Sequence, residues 1–380
     1  MTRVRAVVHP GLSRKVAPLW CRLEARARPQ YFSTWGWVEH WLEALPAERV
    51  PELVALEADG EIVAAGFFGR RATLRRGFVP TRTVSLNATG DLRFDDLCIE
   101  HNALLVDPSA PPISLADLVR AVPEPWDEIF LPALAAREFP GAAAREHVDG
   151  VRVVVERELP APYVDLTRVR ARGDYLALLS SSTRTHVRQA RRAFGALDVE
   201  VAADVPRALS IFEELAALSR ERWRDTPSVS SFEDAWFTDF HRRLIAKRFA
   251  TGELELLRIT AGATLLGCLY NFVKNGHVLF YQGAFAAFDA AHKRPGYVAH
   301  AAAVERAARA GHDDYDFLGG TSSYKASLST DARTLVWVRL QRPHLRFAVE
   351  AQLRAWNESA RAELRALRQR LAEKTRRTAR

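Results

Sequence analysis

A run of β-like segments in the second half of the chain most constrains its fold. Three such segments follow one another at 253–260, 263–273 and 277–284. The last two are separated by Asn275-Gly276, a pair typical of two-residue hairpins because both positions tolerate a positive φ. The pattern predicts an antiparallel meander, which is followed by a helix at 296–310 and a strand at 315–318.

The first half follows a similar order. A helical pattern at 34–45 precedes β-like runs at 52–58, 61–68, 82–86 and 97–106. Asp59-Gly60 is the hairpin signal between the first two runs. Two halves of this kind predict a mixed α+β fold in which each half is a mostly antiparallel sheet flanked by helices.

The predicted domain boundaries follow from these patterns. We expect an extended N-terminal arm over 1–30, a first domain over 31–162 and a second over 163–342, with the proline-rich stretch at 160–162 as linker. Apolar residues at helical spacing continue beyond it. They predict a long, basic amphipathic helix over 343–380.

Composition excludes several classes of protein. The chain has 380 residues, of which 48% are hydrophobic and 26% charged, as in soluble globular proteins. Its apolar runs are shorter than the roughly 20 residues needed to span a bilayer, and no signal-peptide pattern opens it. The three cysteines, Cys21, Cys98 and Cys268, lack metal-ligand spacing. We therefore expect a reduced, cytoplasmic protein without metal, and the sequence leaves its oligomeric state open.

The net charge of +8 suggests a polyanionic partner, which can be a nucleic acid, a membrane surface or a phosphorylated cofactor. Two candidate phosphate sites stand out. Arg184, Arg188 and Arg191 share one face of a predicted helix. The other site comprises Lys293, Arg294 and Gly296, which precede a helix whose first amides are unpaired; such a terminus attracts anions.

Five stretches resemble the FemAB-like branch of the GNAT acyltransferase superfamily. They are SSSTRTHVRQARRAF, RPGYVAHAAAVERAARAG, YDFLGGTSSYKASL, FSTWGWVEHWLEAL and GDLRFDDLCIEHNALL. Members of that branch carry two GNAT-like domains in tandem, and the resemblance covers roughly residues 30–345. The FemAB-like branch includes aminoacyl-tRNA-dependent peptidyltransferases of cell-wall synthesis and acyltransferases linked to exopolysaccharide or natural-product gene clusters.

The resemblance implies roles for two elements of the second half. In GNAT acetyltransferases, the loop at this place holds the pyrophosphate of coenzyme A. The resemblance implies the same role for Lys293–Val298, although valine replaces the usual glycine or alanine at its last position. In the FemAB-like ligases, an aromatic-lysine pair after a Gly-Gly turn serves the donor end or the reaction centre. Tyr324-Lys325 matches that pair. A mobile ammonium suits a phosphate, a carboxylate or an oxyanion.

Candidates for the acceptor side come from polar residues in apolar surroundings. Glu100, His101 and Asn102 interrupt an apolar run, where unpaired polar groups are costly to bury. Asp316 precedes the Gly-Gly turn and, like Glu100, is a candidate base. Tyr281 and Gln282 lie on a strand that would line an acyl channel in a GNAT sheet.

The sequence therefore predicts a bacterial-type N-acyltransferase that transfers an acyl group from acyl-CoA, or another activated donor, to a small-molecule, sugar or peptide amine. Catalysis would fall to Lys325, Tyr324, Asp316 and Glu100. One alternative is aminoacyl transfer from aminoacyl-tRNA. A second is a non-catalytic GNAT-fold protein that binds RNA or a protein partner. No GxSxG, HExxH or P-loop motif occurs in the sequence.

Overall fold

The computed structural model describes residues 4–75, 77–136, 147–290 and 292–353. Its strands all belong to one sheet. The strands are β1 (Arg5–Pro10), β2 (Glu52–Ala58), β3 (Glu61–Arg75), β4 (Val79–Leu86), β5 (Leu105–Val106), β6 (Glu128–Ala135), β7 (His147–Val148), β8 (Val151–Asp165), β9 (Asp198–Val201), β10 (Leu254–Ala261), β11 (Thr264–Lys274), β12 (His277–Phe285), β13 (Asp314–Asp316) and β14 (Asp331–Gln341).

The helices lie between these strands along the chain. They are α1 (Val16–Ala27), α2 (Trp35–Ala44), α3 (Leu92–Asp95), α4 (Leu115–Ala121), α5 (Leu166–Arg172), α6 (Ser181–Phe194), α7 (Val205–Trp223), α8 (Ala235–Arg248), α9 (Pro295–Arg309) and α10 (Ser323–Leu328). Short 3-10 turns, for example at Tyr31–Ser33, join some of them. The predicted mixed α+β class with a mostly antiparallel sheet is confirmed.

The sheet has a nearly palindromic order. From one edge to the other it runs β1-β2-β3-β4-β6-β14-β8-β13-β12-β11-β10-β9. Four antiparallel strands at each end meet the centre through a parallel pair, β4 with β6 in the first half and β12 with β13 in the second. Each half therefore repeats the same strand plan, and the two plans face each other across the central pair β14 and β8.

The central pair joins the halves. β14 comes from the end of the second half, yet it pairs with β6 of the first half as well as with β8. β8 in turn pairs with β13 of the second half. The segment 160–162, which we predicted to be a linker, lies inside β8 because its backbone pairs with β14, and the predicted boundary after residue 162 falls within this strand.

One layer of helices belongs to both halves. Side chains of α1 and α2 pack with those of α7 and α8 in a single apolar core on one face of the sheet. Trp37 of α2, for example, lies 5.3 Å from the ring of Phe240 on α8. The tryptophan-rich helix is therefore packed between the halves. Separate cores under α4 and under α5, α6 and α9 cover the opposite face.

Residues 5–27 differ from the predicted extended arm. They form β1, which pairs with β2, and α1, whose Val16, Leu19, Trp20 and Leu23 are buried. The spacing of these four residues is that of an apolar helical stripe. Pro18, Cys21 and Arg22 between them made the stripe less evident in the sequence.

The run 97–106 also differs from the predicted strand. Only Leu105 and Val106 are in a strand, and the rest is a loop in which Cys98 and His101 have positive φ values of 49° and 51°. Such values break an extended strand. At the other end of the chain, a helix is assigned to 345–353, and the remainder of the predicted terminal helix lies outside the described residues. Among the helices that the structure describes, none is long and apolar enough to cross a membrane.

Candidate active site

A polar patch lies on the sheet face that carries the shared helix layer. Side chains alternate across a strand, so Val84 and Ile129 enter the core on one face while Ser85 and Phe130 point to the other. Ser85 and Phe130, together with side chains of β3, β8 and β14, form the floor of a pocket of 470 Å³, which we call the first-half pocket. Its floor combines arginines, hydroxyls and aromatic rings.

The loop at 90–102 forms one wall of this pocket, and several hydrogen bonds fix its shape. The Asp95 carboxylate accepts bonds from the backbone N–H groups of Thr89 at 2.7 Å and Gly90 at 2.8 Å. The hydroxyl of Tyr281, on β12 of the second half, donates to the carbonyl of Leu97 at 2.8 Å. The second half therefore holds the loop that carries Glu100.

Glu100 lies at the junction between the halves. It lines the first-half pocket, and its carboxylate accepts a hydrogen bond from the backbone N–H of Gly319. A Cβ at position 319 would lie 3.0 Å from Glu100 Oε1, so only glycine leaves the carboxylate room. Burial raises the pKa of Glu100, and the Gly319 N–H and the Lys325 ammonium offset this only in part.

Lys325 approaches the same junction from α10. Its ammonium donates to the carbonyl of Gly319 at 2.9 Å and lies 3.4 Å from that of Leu318. An ammonium has three donors, so one remains for a ligand. Burial lowers the pKa of Lys325, while the charges of Glu100 and Asp316 oppose the shift. The acid and the ammonium therefore flank the Gly319-Gly320 backbone.

Asp316, His101 and Arg333 form a second cluster of ionisable side chains next to Glu100 and Lys325. His101 Nε2 is 3.0 Å from Asp316 Oδ2, and both side chains are almost fully buried. Arg333 of β14 bonds the same carboxylate at 2.7 Å and stacks over Tyr163, with its guanidinium carbon 3.9 Å from the ring centroid. Asp316 also accepts the Leu318 N–H at 2.7 Å, which fixes the turn before Gly319. Asp316 thus has three partners and shapes the turn.

Neighbouring residues of the loop face different spaces. Glu100 opens into the first-half pocket, whereas His101 lines a separate cavity of 190 Å³. Asn102 donates to the Leu86 carbonyl at 3.0 Å and accepts from Asn87 at 2.8 Å. It thereby fills the opening where β4 and β6 diverge. The three polar residues that the sequence grouped therefore do three different things.

The structure separates the predicted arginine face on α6. Arg184 turns back and donates to three carbonyls of residues 176–179. Arg191 forms an ion pair with Glu305 at 2.8 Å. Arg188 is exposed to solvent. Of the three, Arg188 alone has no internal partner among the described residues, and the phosphate-binding role stays a prediction.

The predicted anion loop before α9 lies beside aromatic rings. Lys293 Nζ is 5.3 Å from the centroid of Phe288, and the Arg294 guanidinium is 5.7 Å from that of Tyr297. A Cβ on Gly296 would lie 3.2 Å from the Phe285 ring. The first turn of α9 is therefore covered by Phe285 on the side that Gly296 faces.

Aromatic rings also occupy the point where β12 and β13 diverge. Their pairing ends at Leu279 and Asp316, and the rings of the next residues, Phe280 and Phe317, are 6.3 Å apart. His300 of α9 lies 5.5 Å from Tyr324, stacked at 16°. Burial raises the pKa of Tyr324 to about 12. Tyr324 therefore packs against α9, while its neighbour Lys325 faces Glu100.

Tyr281 and Gln282 lie away from this aromatic group. Tyr281 is buried in the shared core, where its hydroxyl also lies 3.0 Å from His241 Nε2. Gln282 is partly buried at the next position of β12. The structure thus brings Glu100, His101, Asp316 and Lys325 together and places Tyr281 as the support of their loop.

Sequence reasoning missed the residues of the pocket floor. Arg157 stacks over Trp337, with its guanidinium 4.8 Å from the ring centroid, and Arg339 lies 4.0 Å from the centroid of Phe130. The only available signal was a charged or aromatic residue at alternate positions of otherwise apolar strands. That pattern does not show which strands become neighbours.

A comparison with known protein families finds a match in the second half of the chain. Residues 181–326 match the family model described as an acetyltransferase (GNAT) domain. This match lies within the second half of the chain and agrees with the sequence resemblance to GNAT acyltransferases. The chain matches no curated protein at a significant level.

Solved structures share the fold of the whole chain. The crystal structure of FemX is 11% identical, covers 84% of this chain and 95% of its own, and superposes with a TM-score of 0.54. A conserved protein of unknown function from Bacteroides thetaiotaomicron is 10% identical over 90% of this chain and 100% of its own, with a TM-score of 0.50. A tandem GNAT protein from the clavulanic acid pathway is 14% identical over 90% and 100%, with a TM-score of 0.47. At these identities the likeness to the first two structures shows the fold alone, and it extends over 84–90% of this chain.

Proposed function

We propose that this protein is an N-acyltransferase whose acceptor amine binds in the first-half pocket and whose acyl donor is held by the second half. The observation that carries the proposal is the meeting of Glu100, from one half, with Gly319 and Lys325, from the other. A buried acid and a buried ammonium beside a pocket suit proton transfer and oxyanion stabilisation. The GNAT domain match supports the same class of reaction.

Glu100 would act as the general base. An amine is nucleophilic only when neutral, and its nitrogen must lose a proton as the amide forms. The raised pKa of Glu100 brings this carboxylate closer to the range in which it can accept and release a proton. The Gly319 N–H fixes its orientation.

Lys325 would stabilise the oxyanion. When the amine attacks the acyl carbonyl, the carbonyl oxygen becomes negative, and the unused donor of Lys325 can bind it. Collapse of this intermediate breaks the bond between the acyl carbon and the leaving group. The proton held by Glu100 then passes to the leaving group, so that one amide and one free thiol or hydroxyl are formed.

Transfer would be direct rather than through an acyl-enzyme. Cys98 lines the first-half pocket next to Glu100 and is the nucleophile that a covalent route would use. Its surroundings in the pocket wall and the carboxylates of Asp96 and Glu100 raise its pKa to about 12, although the residue is exposed to solvent, so its thiol stays protonated at neutral pH. Attack by the amine on the donor itself avoids this unreactive group.

The nature of the donor stays open between an acyl thioester and an aminoacyl ester. The residues around α9 do not fit the diphosphate of coenzyme A in the present arrangement, because Phe285 covers Gly296 and aromatic rings occupy the opening between β12 and β13. We therefore derive no step through coenzyme A. This observation favours the second candidate, aminoacyl transfer from tRNA.

Two experiments test the proposal. Calorimetry against coenzyme A, acetyl-coenzyme A, deacylated tRNA and aminoacylated tRNA identifies the donor class. Mass spectrometry then follows acyl transfer to a panel of amines, with Lys325→Ala and the surface control Lys247→Ala. We expect Lys325→Ala to lower turnover about 10²–10³-fold with the fold intact. Equal turnover in both variants would show that Lys325 has no part in the reaction, whereas binding of tRNA with no transfer at all would favour the non-catalytic alternative.

A further inference from the structure

We propose that the acceptor carries an anionic group, a carboxylate or a phosphate, which Arg157 binds at the far end of the first-half pocket from Glu100. This inference rests on the proposed function, because Glu100 then marks the amine end. The acceptor class is an amine whose nitrogen and anion are separated by an apolar or aromatic middle section that contacts the floor.

Arg157 differs from the other arginines of the pocket. It is exposed, its guanidinium stacks over Trp337, and it has no carboxylate within ion-pair distance among the residues that the structure describes. A stacked guanidinium keeps its edge free for hydrogen bonds, and that edge matches a carboxylate or phosphate. Among the described residues, Arg157 is thus a cation that stacks on an aromatic ring and has no anionic partner.

The remaining arginines are neutralised within the protein. Arg75 bonds Glu128 at 2.7 Å, Glu156 at 2.8 Å and Glu350 at 2.9 Å. Arg339 bonds Glu128 and Glu156. Arg71, also at the pocket, pairs with Asp91, a carboxylate that it shares with Arg93 and Arg49. A ligand anion would have to compete with these carboxylates, whereas at Arg157 it meets no competing carboxylate among the described residues.

The strand register gives the spacing between the two ends. Arg157 and Leu159 lie on the same face of β8, two residues and therefore about 7 Å apart. Leu159 Cδ2 is 2.8 Å from the position that a Cβ on Gly319 would take, and Glu100 Oε1 is 3.0 Å from it. The backbone positions that carry the two ends are therefore separated by a distance on the order of 7 Å, to which the lengths of the Arg157 and Glu100 side chains are added or subtracted according to their directions.

The pocket floor between Arg157 and Glu100 determines which middle section of an acceptor can bind there. Trp337 and Phe130 present ring surface, and Thr83 and Ser85 present hydroxyls. A sugar ring or a short aliphatic chain can contact such a floor, with its hydroxyls bonded where it has them. Aminated sugar phosphates and ω-amino acids are the two sources of this chemistry.

Matched pairs of amines test the inference by direct binding. Calorimetry compares glucosamine 6-phosphate with glucosamine, and 6-aminohexanoate with 6-aminohexanamide, at two salt concentrations. We expect the anionic member of at least one pair to bind about tenfold more tightly, and the pair that shows the preference identifies phosphate or carboxylate. Arg157→Gln should abolish the preference, while Arg152→Gln, an exposed arginine on the same strand, should keep it.

The outcomes separate this inference from the proposed function. An anion preference lost in Arg157→Gln, but with no transfer under any donor, would support the site and contradict the enzyme. Transfer to neutral and anionic amines with equal efficiency would support the enzyme and overturn the site. Retention of the preference in Arg157→Gln, or failure of all four amines to bind at millimolar concentration, would also overturn it. A Trp337→Leu variant, which leaves Arg157 unstacked, should weaken binding of the anionic member more than that of the neutral one.

Discussion

The Glu100 carboxylate accepts a hydrogen bond from the backbone N–H of Gly319, a residue 219 positions further along the chain. This bond joins the loop of the first half to the Gly-Gly turn of the second. Since Lys325 bonds the carbonyl of the same Gly319, the two peptide groups of one residue orient both the acid and the ammonium. The geometry of the reaction centre therefore depends on how the two halves of the chain pack against each other.

Gly319→Ala should weaken the site while preserving the fold. Its Cβ would come within 3.0 Å of Glu100 Oε1 and 2.8 Å of Leu159 Cδ2, so both side chains must shift by a few tenths of an ångström. The rate should therefore fall by less than the roughly 10²-fold that a 1 Å misplacement of a reacting group costs. We expect this smaller loss in acyl transfer, with unchanged circular dichroism and melting temperature to within a few degrees. Full activity in this variant would mean that Glu100 has no part in the reaction.

The pH profile of transfer should be bell-shaped. Glu100 must be deprotonated to accept a proton, and its raised pKa moves the acidic limb above the ordinary glutamate range. Lys325 must be protonated, and its lowered pKa moves the alkaline limb below 10.5. Glu100→Gln should remove the acidic limb together with most of the rate, and Lys325→Arg should shift the alkaline limb upward. An unchanged profile in both variants would exclude these two groups as the titrating pair.

Arg333→Met should destabilise the joint between the central strands. Arg333 pairs with Asp316 and Asp314, both buried, and removing it leaves these two carboxylates with the His101 and His277 rings and the Leu318 N–H as their remaining partners. Breaking a buried ion pair on one side costs about 3–5 kcal/mol of unfolding free energy. The control is Arg168→Met, whose exposed pair with Asp331 lies at the same joint and should cost less than about 1 kcal/mol. Urea unfolding of both variants gives the comparison, and similar losses would contradict the prediction.

Stability should fall as the pH drops below about 6.5. Burial lowers the pKa of His300 to about 3, whereas an unfolded histidine titrates near 6.5. Between these values the unfolded chain binds the proton and the folded protein does not, so acid favours unfolding. His300 alone should cost about 2 kcal/mol between pH 6.5 and 5, and buried His241, whose pKa is also lowered, adds to the loss.

His300→Gln isolates this contribution. The variant should be less stable than the wild type at pH 7.5, because it loses ring packing against Tyr324 and Phe317. Its unfolding free energy should nevertheless depend less on pH. Urea titrations at pH 7.5 and pH 5 measure both effects, and an undiminished pH dependence would show that His300 stays neutral in both states or is charged in both.

Local signals predicted much of the fold. Asn275-Gly276 and Asp59-Gly60 do form hairpin turns, with positive φ at each of the four residues. Thr34 caps α2 by accepting the Trp37 N–H. These features depend on a few neighbouring residues, so the sequence contains the whole of their physical cause.

Long-range features were not predictable in the same way. The merging of two sheets into one follows from the pairing of β14 with β6 and β8, which no local pattern encodes. The same holds for the pocket floor, where Arg157 and Trp337 meet only because their strands do. Within the candidate site, the polar character of Glu100, His101 and Asn102 was visible, but the positive φ of His101 that turns them toward different spaces was not.

The position of β14 in the sheet has a consequence for how the protein is made. Its residues, 331–341, lie between β6 and β8 although they are synthesised after every other strand of the described sheet. While the ribosome is still translating the second half, the edges of β6 and β8 have no partner strand between them. Both edges stay exposed to other chains until this segment emerges. Nascent chains that stall before residue 331 should therefore be the form of this protein most in need of chaperones.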